Sequence, residues 1–140
     1  MVVHMDALTE PDPTVPVLRY LRAIEERVSL AELGDCLTDD VVIVTLPNRI
    51  APAGATSDKP RALAGSERGR TLLRSERYEV VSTLVAGDRV ALEVVWTGTL
   101  AVPFASRAPG ATLRAQCAMI FQVRDGRVSS QHTYDCFDSF

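Results

Sequence analysis

Basic residues are not clustered in this 140-residue chain, whose formal net charge is −3. Proteins that bind nucleic acids usually carry a basic patch, so we expect no nucleic-acid partner. Long apolar runs are also missing. The longest, from Val41 to Leu46, falls well short of the roughly 18 residues of a membrane span, so we expect no membrane partner. The opening residues, MVVHMDALTEPDP, have neither the positive charge nor the apolar centre of a signal peptide.

Cysteine and histidine are scarce. The three cysteines, Cys36, Cys117 and Cys136, are odd in number and lack the spacing of a metal site. We therefore expect reduced thiols in a cytoplasmic protein, with no bound metal. His132 is the only histidine apart from His4. The sequence also lacks a glycine-rich phosphate loop and a nucleophile elbow, so we expect no nucleotide or other organic cofactor.

The pattern of the first half predicts helices. Asp12-Pro13 is compatible with a helix start, and apolar residues then recur at helical spacing from Val17 to Val28. Ser29 and Glu32 fit a capping box for a second, shorter helix, which Thr38-Asp39-Asp40 is expected to close.

A strand and a long loop are predicted next. The β-branched residues from Val41 to Leu46 favour a strand. The segment from Pro47 to Pro60 contains three prolines and is expected to be a loop at the rim of the domain. Ser66 is then expected to cap a third helix, which ends near Arg74.

The second half alternates between apolar and polar residues, which is typical of strands. Strands are predicted over Tyr78–Ala86 and Arg89–Val102, and on both sides of Asp125-Gly126, a strong hairpin signal, between Thr112 and Phe140. Helices followed by strands in hairpins predict one α+β domain over residues 1–140, in which three helices pack on one face of an antiparallel sheet. We expect residues 1–12 to be flexible.

Five short motifs occur in an order that is known from one superfamily. They are Arg19-Tyr20-x-x-Ala23, Leu33 to Val41 with its Thr38-Asp39-Asp40, Trp96-Thr97-Gly98-Thr99, Asp125-Gly126-Arg127-Val128 and Tyr134-Asp135-Cys136-Phe137. Together they resemble the nuclear-transport-factor-two-like superfamily, and within it the SnoaL-like and ketosteroid-isomerase-like proteins. The resemblance runs from about Val15 to Phe137. It implies a cone-shaped, strongly curved sheet that encloses an apolar pocket for a small hydrophobic molecule, and a homodimer formed through the outer face of the sheet.

The isomerase chemistry of this superfamily can be compared with the chain residue by residue. That chemistry uses a carboxylate to move a proton and an oxyanion hole made of a tyrosine and a protonated aspartate. The resemblance places the tyrosine at Tyr20. It places the base at Thr45 or Leu46, and the second oxyanion-hole residue near Met119, and none of these side chains can do the work required. We therefore expect no steroid-isomerase activity by that mechanism.

Asp135 is the best remaining candidate for catalysis. Burial near the apolar end of a strand would raise the pKa of its carboxyl, which suits a general base or acid. If Val128 points inward, regular alternation sends His132 and Tyr134 inward and Asp135 outward, whereas a β-bulge near the strand end reverses this. We assign Asp135 as base or acid and His132 and Tyr134 as its polar partners. The alternative is that these side chains are solvated.

Five residues are expected to line the pocket: Tyr20, Leu46, Trp96, Cys117 and Met119. Tyr20 has the alternative of a structural position in the core, and Cys117 that of a small apolar side chain. Two functions remain open, because this fold alone does not fix function. The first is an enzyme of polyketide-cyclase, isomerase or hydrolase type that transfers protons without a cofactor. The second is a non-catalytic module for ligand binding or dimerisation.

Overall fold

The computed structural model describes residues 11–140, and three helices and six strands lie within that range. The helices are α1 (Thr14–Glu26), α2 (Leu30–Gly34) and α3 (Lys59–Leu72). The strands are β1 (Leu37–Thr45), β2 (Ala55–Ser57), β3 (Leu73–Ala86), β4 (Arg89–Leu100), β5 (Thr112–Arg124) and β6 (Arg127–Phe137). The flexibility expected of residues 1–12 concerns positions that, apart from Pro11 and Asp12, lie outside the described residues. No helix within 11–140 has both the length and the apolar character to cross a membrane.

Capping side chains mark where two helices begin. Ser29 Oγ accepts a hydrogen bond from the Glu32 N–H (3.1 Å), which confirms the predicted start of α2. The start of α3 expected at Ser66 is wrong. The helix begins at Lys59, because Asp58 Oδ1 accepts from the Arg61 N–H (3.0 Å) and a proline occupies the first turn. The loop expected between Pro47 and Pro60 is therefore shorter, because β2 and the first residues of α3 lie within that segment.

Two strands begin earlier than the sequence pattern indicates. β1 begins at Leu37, so Thr38-Asp39-Asp40 belongs to a strand and does not close a helix. β3 follows α3 directly and begins at Leu73. Pairing with distant strands explains both differences, since Leu37 pairs with Val128 and Leu73 pairs with Leu100.

The strands form one mixed sheet in the order β2-β1-β6-β5-β4-β3. β1 and β6 run parallel, and the other neighbouring pairs are antiparallel. The sheet is curved and unclosed, and the three helices pack on it. The predicted α+β class with a cone-shaped sheet is confirmed.

The core lies between α1 and the inner face of the sheet. Val17 and Leu21 of α1 are buried there against residues such as Leu92 of β4 and Phe121 of β5. Burying a side chain of this size contributes about 1.5–3 kcal/mol. This packing fixes which face of β4, β5 and β6 points inward.

Polar contacts hold the beginning of β3 against α1. Arg27 donates hydrogen bonds to the backbone carbonyls of Arg70 and Leu73, where α3 passes into β3. Glu25 Oε2 accepts a hydrogen bond from the Tyr78 N–H (2.8 Å). These contacts position the side chains on the first part of β3, which contribute to the site described below.

The turn between β5 and β6 is the one predicted from Asp125-Gly126. Both residues have positive φ, 54° and 71°, as a two-residue type I′ turn requires. Arg124 and Arg127 pair on either side of it.

One extra residue changes the alternation of β6. Gln122 pairs with Ser130 and Val123 pairs with Val128, so Ser129 is the additional residue of a β-bulge. The Ser129 hydroxyl donates to the Gln122 carbonyl (3.1 Å). Beyond the bulge, the odd-numbered residues of β6 face inward. The bulge considered for the end of this strand is therefore found near its beginning.

We predict opposite effects of the same substitution at two glycines. Gly126→Ala places a Cβ at a left-handed turn position and should lower the free energy of unfolding by about 1–2 kcal/mol. Gly69 lies within α3, where an added Cβ meets no atom within 4 Å. Gly69→Ala should therefore raise the free energy of unfolding by about 0.5–1 kcal/mol. Urea titration measures both, and changes of the same sign would contradict the backbone conformations described here.

Candidate functional site

A cavity of about 290 Å³ opens among the inward-facing side chains of the sheet. Its volume is at the small end of the range of ligand pockets. The wall is mainly apolar and aromatic, and its polar groups are Thr45, Glu76, Gln131, Thr133 and Asp135, together with the polar atoms of Tyr78, Trp96 and Cys117. These few polar groups decide what the cavity can do chemically.

Asp135 points into this cavity. The bulge at Ser129 puts Asp135 on the inward face of β6, directly opposite Cys117 of β5. The carboxyl is half-buried, and its removal from water raises the pKa above the usual 3.8, while a hydrogen bond from the Cys117 thiol opposes that shift. A carboxylate in such surroundings is a stronger base than one in water.

Cys117 is a poor nucleophile in this position. Burial raises the pKa of its thiol, and the neighbouring Asp135 carboxylate raises it further. The thiol therefore remains protonated at neutral pH, and Cys117 serves as a wall of the cavity and a weak donor to Asp135.

A second carboxylate, that of Glu76, lines the same cavity. It is not among the site residues predicted from the sequence. Its Oε1 atom accepts hydrogen bonds from Trp96 Nε1 (3.0 Å) and from the Tyr78 hydroxyl (3.3 Å). Burial, and next the charge of Glu76, raise the pKa of the Tyr78 hydroxyl, which therefore stays a hydrogen-bond donor. The alternation of Glu76, Tyr78 and Val80 could have indicated this site, but it begins before the strand start inferred from sequence.

Trp96 forms an aromatic wall of the cavity. Its ring meets that of Phe137 edge to face, with centroids 5.9 Å apart and ring planes at 85°. Gly98 makes room for the indole, because a Cβ at Gly98 would lie 2.6 Å from Cη2 of Trp96. The motif Trp96-Thr97-Gly98-Thr99 therefore needs glycine at its third position, because a larger residue would collide with the indole.

Gln131 and Thr133 share the inward face of β6 with Asp135. Both are buried, and Gln131 Nε2 donates to Thr133 Oγ1 (2.8 Å). Gln131 Oε1 is buried without a hydrogen-bond partner among the described residues. The wall therefore contains a buried acceptor that no hydrogen bond stabilises. A ligand that donates a hydrogen bond to it would recover part of the free-energy cost of burying this oxygen.

Three of the five predicted lining residues, Trp96, Cys117 and Met119, do line the cavity. Tyr20 and Leu46 are not among its lining residues. Tyr20 is buried in the core, where burial and then the neighbouring Cys36 and Glu76 raise the pKa of its hydroxyl. Leu46 follows β1 and donates its N–H to the Thr133 carbonyl (3.0 Å), and the preceding residue, Thr45, lines the cavity instead.

His132 and Tyr134 lie on the opposite face of the sheet from Asp135. Both are exposed, and they pair with Ile120 and Ala118 of β5. The structure does not bring them to Asp135, because alternation after Ser129 turns them outward. The interpretation of His132 and Tyr134 as polar partners of Asp135 is therefore corrected.

A larger groove of about 790 Å³ lies between the start of α1 and the turns at Gly87-Asp88 and Asp125-Gly126. Its carboxylates, including that of Asp12, are exposed to solvent, so they lack the desolvation that changes the reactivity of Asp135. Within residues 11–140, no three His, Cys, Asp or Glu side chains are grouped as a metal site requires. The smaller cavity is therefore the candidate site.

A family model described as the SnoaL-like domain matches residues 17–131, which include most of the cavity wall. The chain belongs to the SnoaL-like family. No curated protein matches its sequence.

Several solved structures share this SnoaL-like fold. IdmH, a proposed polyketide cyclase from Streptomyces antibioticus, is 22% identical, with a TM-score of 0.76 over 89% of this chain and 92% of that one. AclR, a proposed hydroxylase from Streptomyces galilaeus, is 20% identical, with a TM-score of 0.69 over 88% and 74%. An LEH-like epoxide hydrolase from Mycobacterium tuberculosis is 16% identical, with a TM-score of 0.69 over 90% and 83%. At these identities the likeness shows the fold alone.

We predict that Asp135→Asn stabilises this SnoaL-like domain at neutral pH. The pKa of Asp135 is higher in the folded state, so the folded protein binds more protons between pH 3.8 and that raised pKa. Stability is therefore lost as the pH rises through this window, and the neutral amide removes the loss. The difference in melting temperature from the wild type should be positive at pH 7 and shrink as the pH falls towards 3.8.

Asp40→Asn is the control of opposite sign. A hydrogen bond from Arg124 lowers the pKa of Asp40, so its carboxylate stabilises the folded state at neutral pH. Asp40→Asn should lower the melting temperature at pH 7, with a small effect because the pair is exposed. If Asp135→Asn also lowers it, the desolvation assigned to Asp135 is wrong.

Proposed function

We propose that the chain binds a small, largely apolar molecule in the 290 Å³ cavity and transfers a proton to or from it through Asp135. The observation that carries this proposal is the inward direction of Asp135, a desolvated carboxyl of raised pKa in a mainly apolar wall. Such a group is suited to general base or acid catalysis.

The size of the cavity limits the ligand. A volume of 290 Å³ corresponds to roughly ten water molecules at about 30 Å³ each. A single ring or two small fused rings with short substituents fit, whereas a larger polycyclic molecule would extend through the opening.

Proton transfer is a step that several reactions have in common. Cyclisation and isomerisation of a carbonyl compound begin with proton removal from carbon, and hydrolysis begins with proton removal from water. The solved structures of similar fold include a proposed polyketide cyclase and an epoxide hydrolase, which supports a reaction of this class. Gln131 and Thr133 offer polar groups beside the acid, and Trp96 and Met119 offer apolar contact.

Proton abstraction can be tested with 5-nitrobenzisoxazole, a small bicyclic probe. Its isoxazole ring opens when a carboxylate removes the proton bound to carbon. We predict catalysed release of the coloured nitrophenolate, with a rate that rises with pH as Asp135 loses its proton. Because its pKa is raised, the midpoint should lie above 3.8. Asp135→Asn should lower the rate about 10²–10⁴-fold.

Asp125→Asn is the matched control, since Asp125 lies in an exposed turn where asparagine is equally suitable. Its rate should equal that of the wild type. A wild-type rate no greater than that of Asp135→Asn would refute the catalytic role. The alternative of a non-catalytic ligand-binding module would then be favoured.

A homodimer formed through the outer sheet face is the second part of the proposal. An outward row crosses five strands in register: Val44, His132, Ile120, Ala91 and Leu84. Leu84 is 73% exposed, and Tyr134 of the neighbouring row is 43% exposed. Apolar side chains that are contiguous on the outer face of a sheet and partly exposed favour association with a second copy. This face gives the outward His132 and Tyr134 a role in partner contact.

The dimer is tested by Leu84→Glu, which places a charge in the outward row. We predict that light scattering after size exclusion gives twice the chain mass for the wild type and the single-chain mass for this variant. Val102→Glu is the control, because Val102 is exposed in the β4–β5 connection away from the row, and it should remain dimeric. A wild-type protein that is monomeric at high concentration would refute the dimer.

We also propose a cytoplasmic location, where thiols stay reduced. Cys36, Cys117 and Cys136 are all free thiols. This agrees with the cytoplasmic location that the sequence suggests.

A further inference from the structure

The cavity has an unbalanced charge. Its wall contains two carboxylates, those of Glu76 and Asp135, and no lysine, arginine or histidine is among its lining residues. In a site of low dielectric, two acids without a cation create a negative potential that disfavours an anionic ligand and attracts a cationic one.

The hydrogen bonds of Glu76 leave one oxygen available. Trp96 Nε1 and the Tyr78 hydroxyl both donate to Oε1, and they orient the carboxylate in the wall. Within the described part of the chain, the second oxygen, Oε2, accepts no hydrogen bond. A fixed carboxylate with a free oxygen is suited to a charge-assisted hydrogen bond from a ligand N–H.

Aromatic rings surround the same region. Trp96, Tyr78 and Phe137 all line the cavity, and the planes of Trp96 and Phe137 are nearly perpendicular. Rings at right angles present π-faces in different directions, as in the aromatic cages that bind ammonium groups. Cation–π attraction and the carboxylate thus favour the same kind of ligand.

Further acceptors complete the pattern. Gln131 is buried and lines the cavity, and its Oε1 atom is an acceptor without a partner among the described residues. The Asp135 carboxylate also lines the cavity, and it lies opposite Cys117, whose thiol is only a weak donor. The site therefore offers several acceptors to a ligand that brings its own N–H donors.

Arg49 is a cation close to this region. It stands over the ring of Phe140, 5.5 Å from the ring centroid, and is not among the residues that line the cavity. Phe140 packs against Phe137 of the cavity wall, with ring centroids 6.2 Å apart. The guanidinium is thus engaged by another ring, and it leaves the two carboxylates uncompensated.

We propose that the ligand of this cavity is a small protonated amine with an apolar, one-ring-sized body, bound through its ammonium group by Glu76 and the aromatic wall. This inference rests on the proposed ligand-binding function and adds the charge of the ligand. Glu76 is a specificity-determining residue, distinct from the proton-transferring Asp135.

Three probes of similar size and different charge test the inference: benzylamine, benzyl alcohol and benzoate. Trp96 is the only tryptophan of the chain, so its fluorescence reports binding in the cavity. At low salt and slightly alkaline pH, benzylamine should bind at least about tenfold more tightly than benzyl alcohol. Benzoate should bind more weakly than both.

Glu76→Gln keeps the shape of the side chain and removes its charge. Benzylamine affinity should fall about tenfold or more, to near that of benzyl alcohol, whose own affinity should stay unchanged. Glu79→Gln is the matched control, because Glu79 lies on the same strand with its side chain exposed. It should leave all three affinities unchanged.

The outcomes separate the two proposals. If benzyl alcohol binds as tightly as benzylamine, or benzoate binds most tightly, the cation inference is overturned and the ligand-binding function stands. If none of the probes changes the fluorescence of Trp96, both are overturned. The wild-type comparison decides the matter even if Glu76→Gln fails to fold, which circular dichroism would show.

Discussion

The register of β6 is the constraint on which the site depends. A strand has only two faces, so one extra residue exchanges every side chain after it between core and surface. Ser129 is that residue, and its hydroxyl bonds the Gln122 carbonyl at the bulge. Because the inner face of β5 is fixed by the core, the bulge alone decides that Asp135 faces the cavity and His132 faces outward. The chemistry of this SnoaL-like domain is therefore set by pairing geometry as much as by residue type.

The inward face of the sheet combines stability and reactivity. Most of its positions are filled by large apolar side chains such as Phe121, which support the fold. Near the open end the same face carries two acids, a buried amide and aromatic rings. Groups of this kind weaken a core, because a desolvated carboxyl and an unpaired amide oxygen both cost free energy. The apolar part of the face offsets that cost, so the fold can tolerate polar groups in the cavity wall.

Local signals were sufficient for some features of the fold and insufficient for others. The Asp125-Gly126 turn and the Ser29 cap involve neighbouring residues only, and the sequence predicts both correctly. Asp58 and Ser66 are both suitable caps by local chemistry, and in the structure Asp58 caps the helix while Ser66 lies within it. No sequence pattern distinguishes a serine at a bulge from any other serine in a strand. The sequence alone therefore does not decide whether Asp135 points inward or outward. The sequence pattern does not indicate Glu76, because β3 begins inside the segment for which that pattern predicts a helix end and a connection.

The indole of Trp96 fills the space that a side chain at position 98 of the same strand would need. Position 98 can therefore gain a side chain only if the indole of Trp96 moves or is replaced. A larger residue in place of Gly98 would expel the indole, and Glu76 would lose one of its two donors with it. Descendants would then inherit a wider pocket and a differently oriented acid in a single event. Pocket size and pocket charge are thus linked traits here, and lineages that diverge in one are expected to diverge in the other.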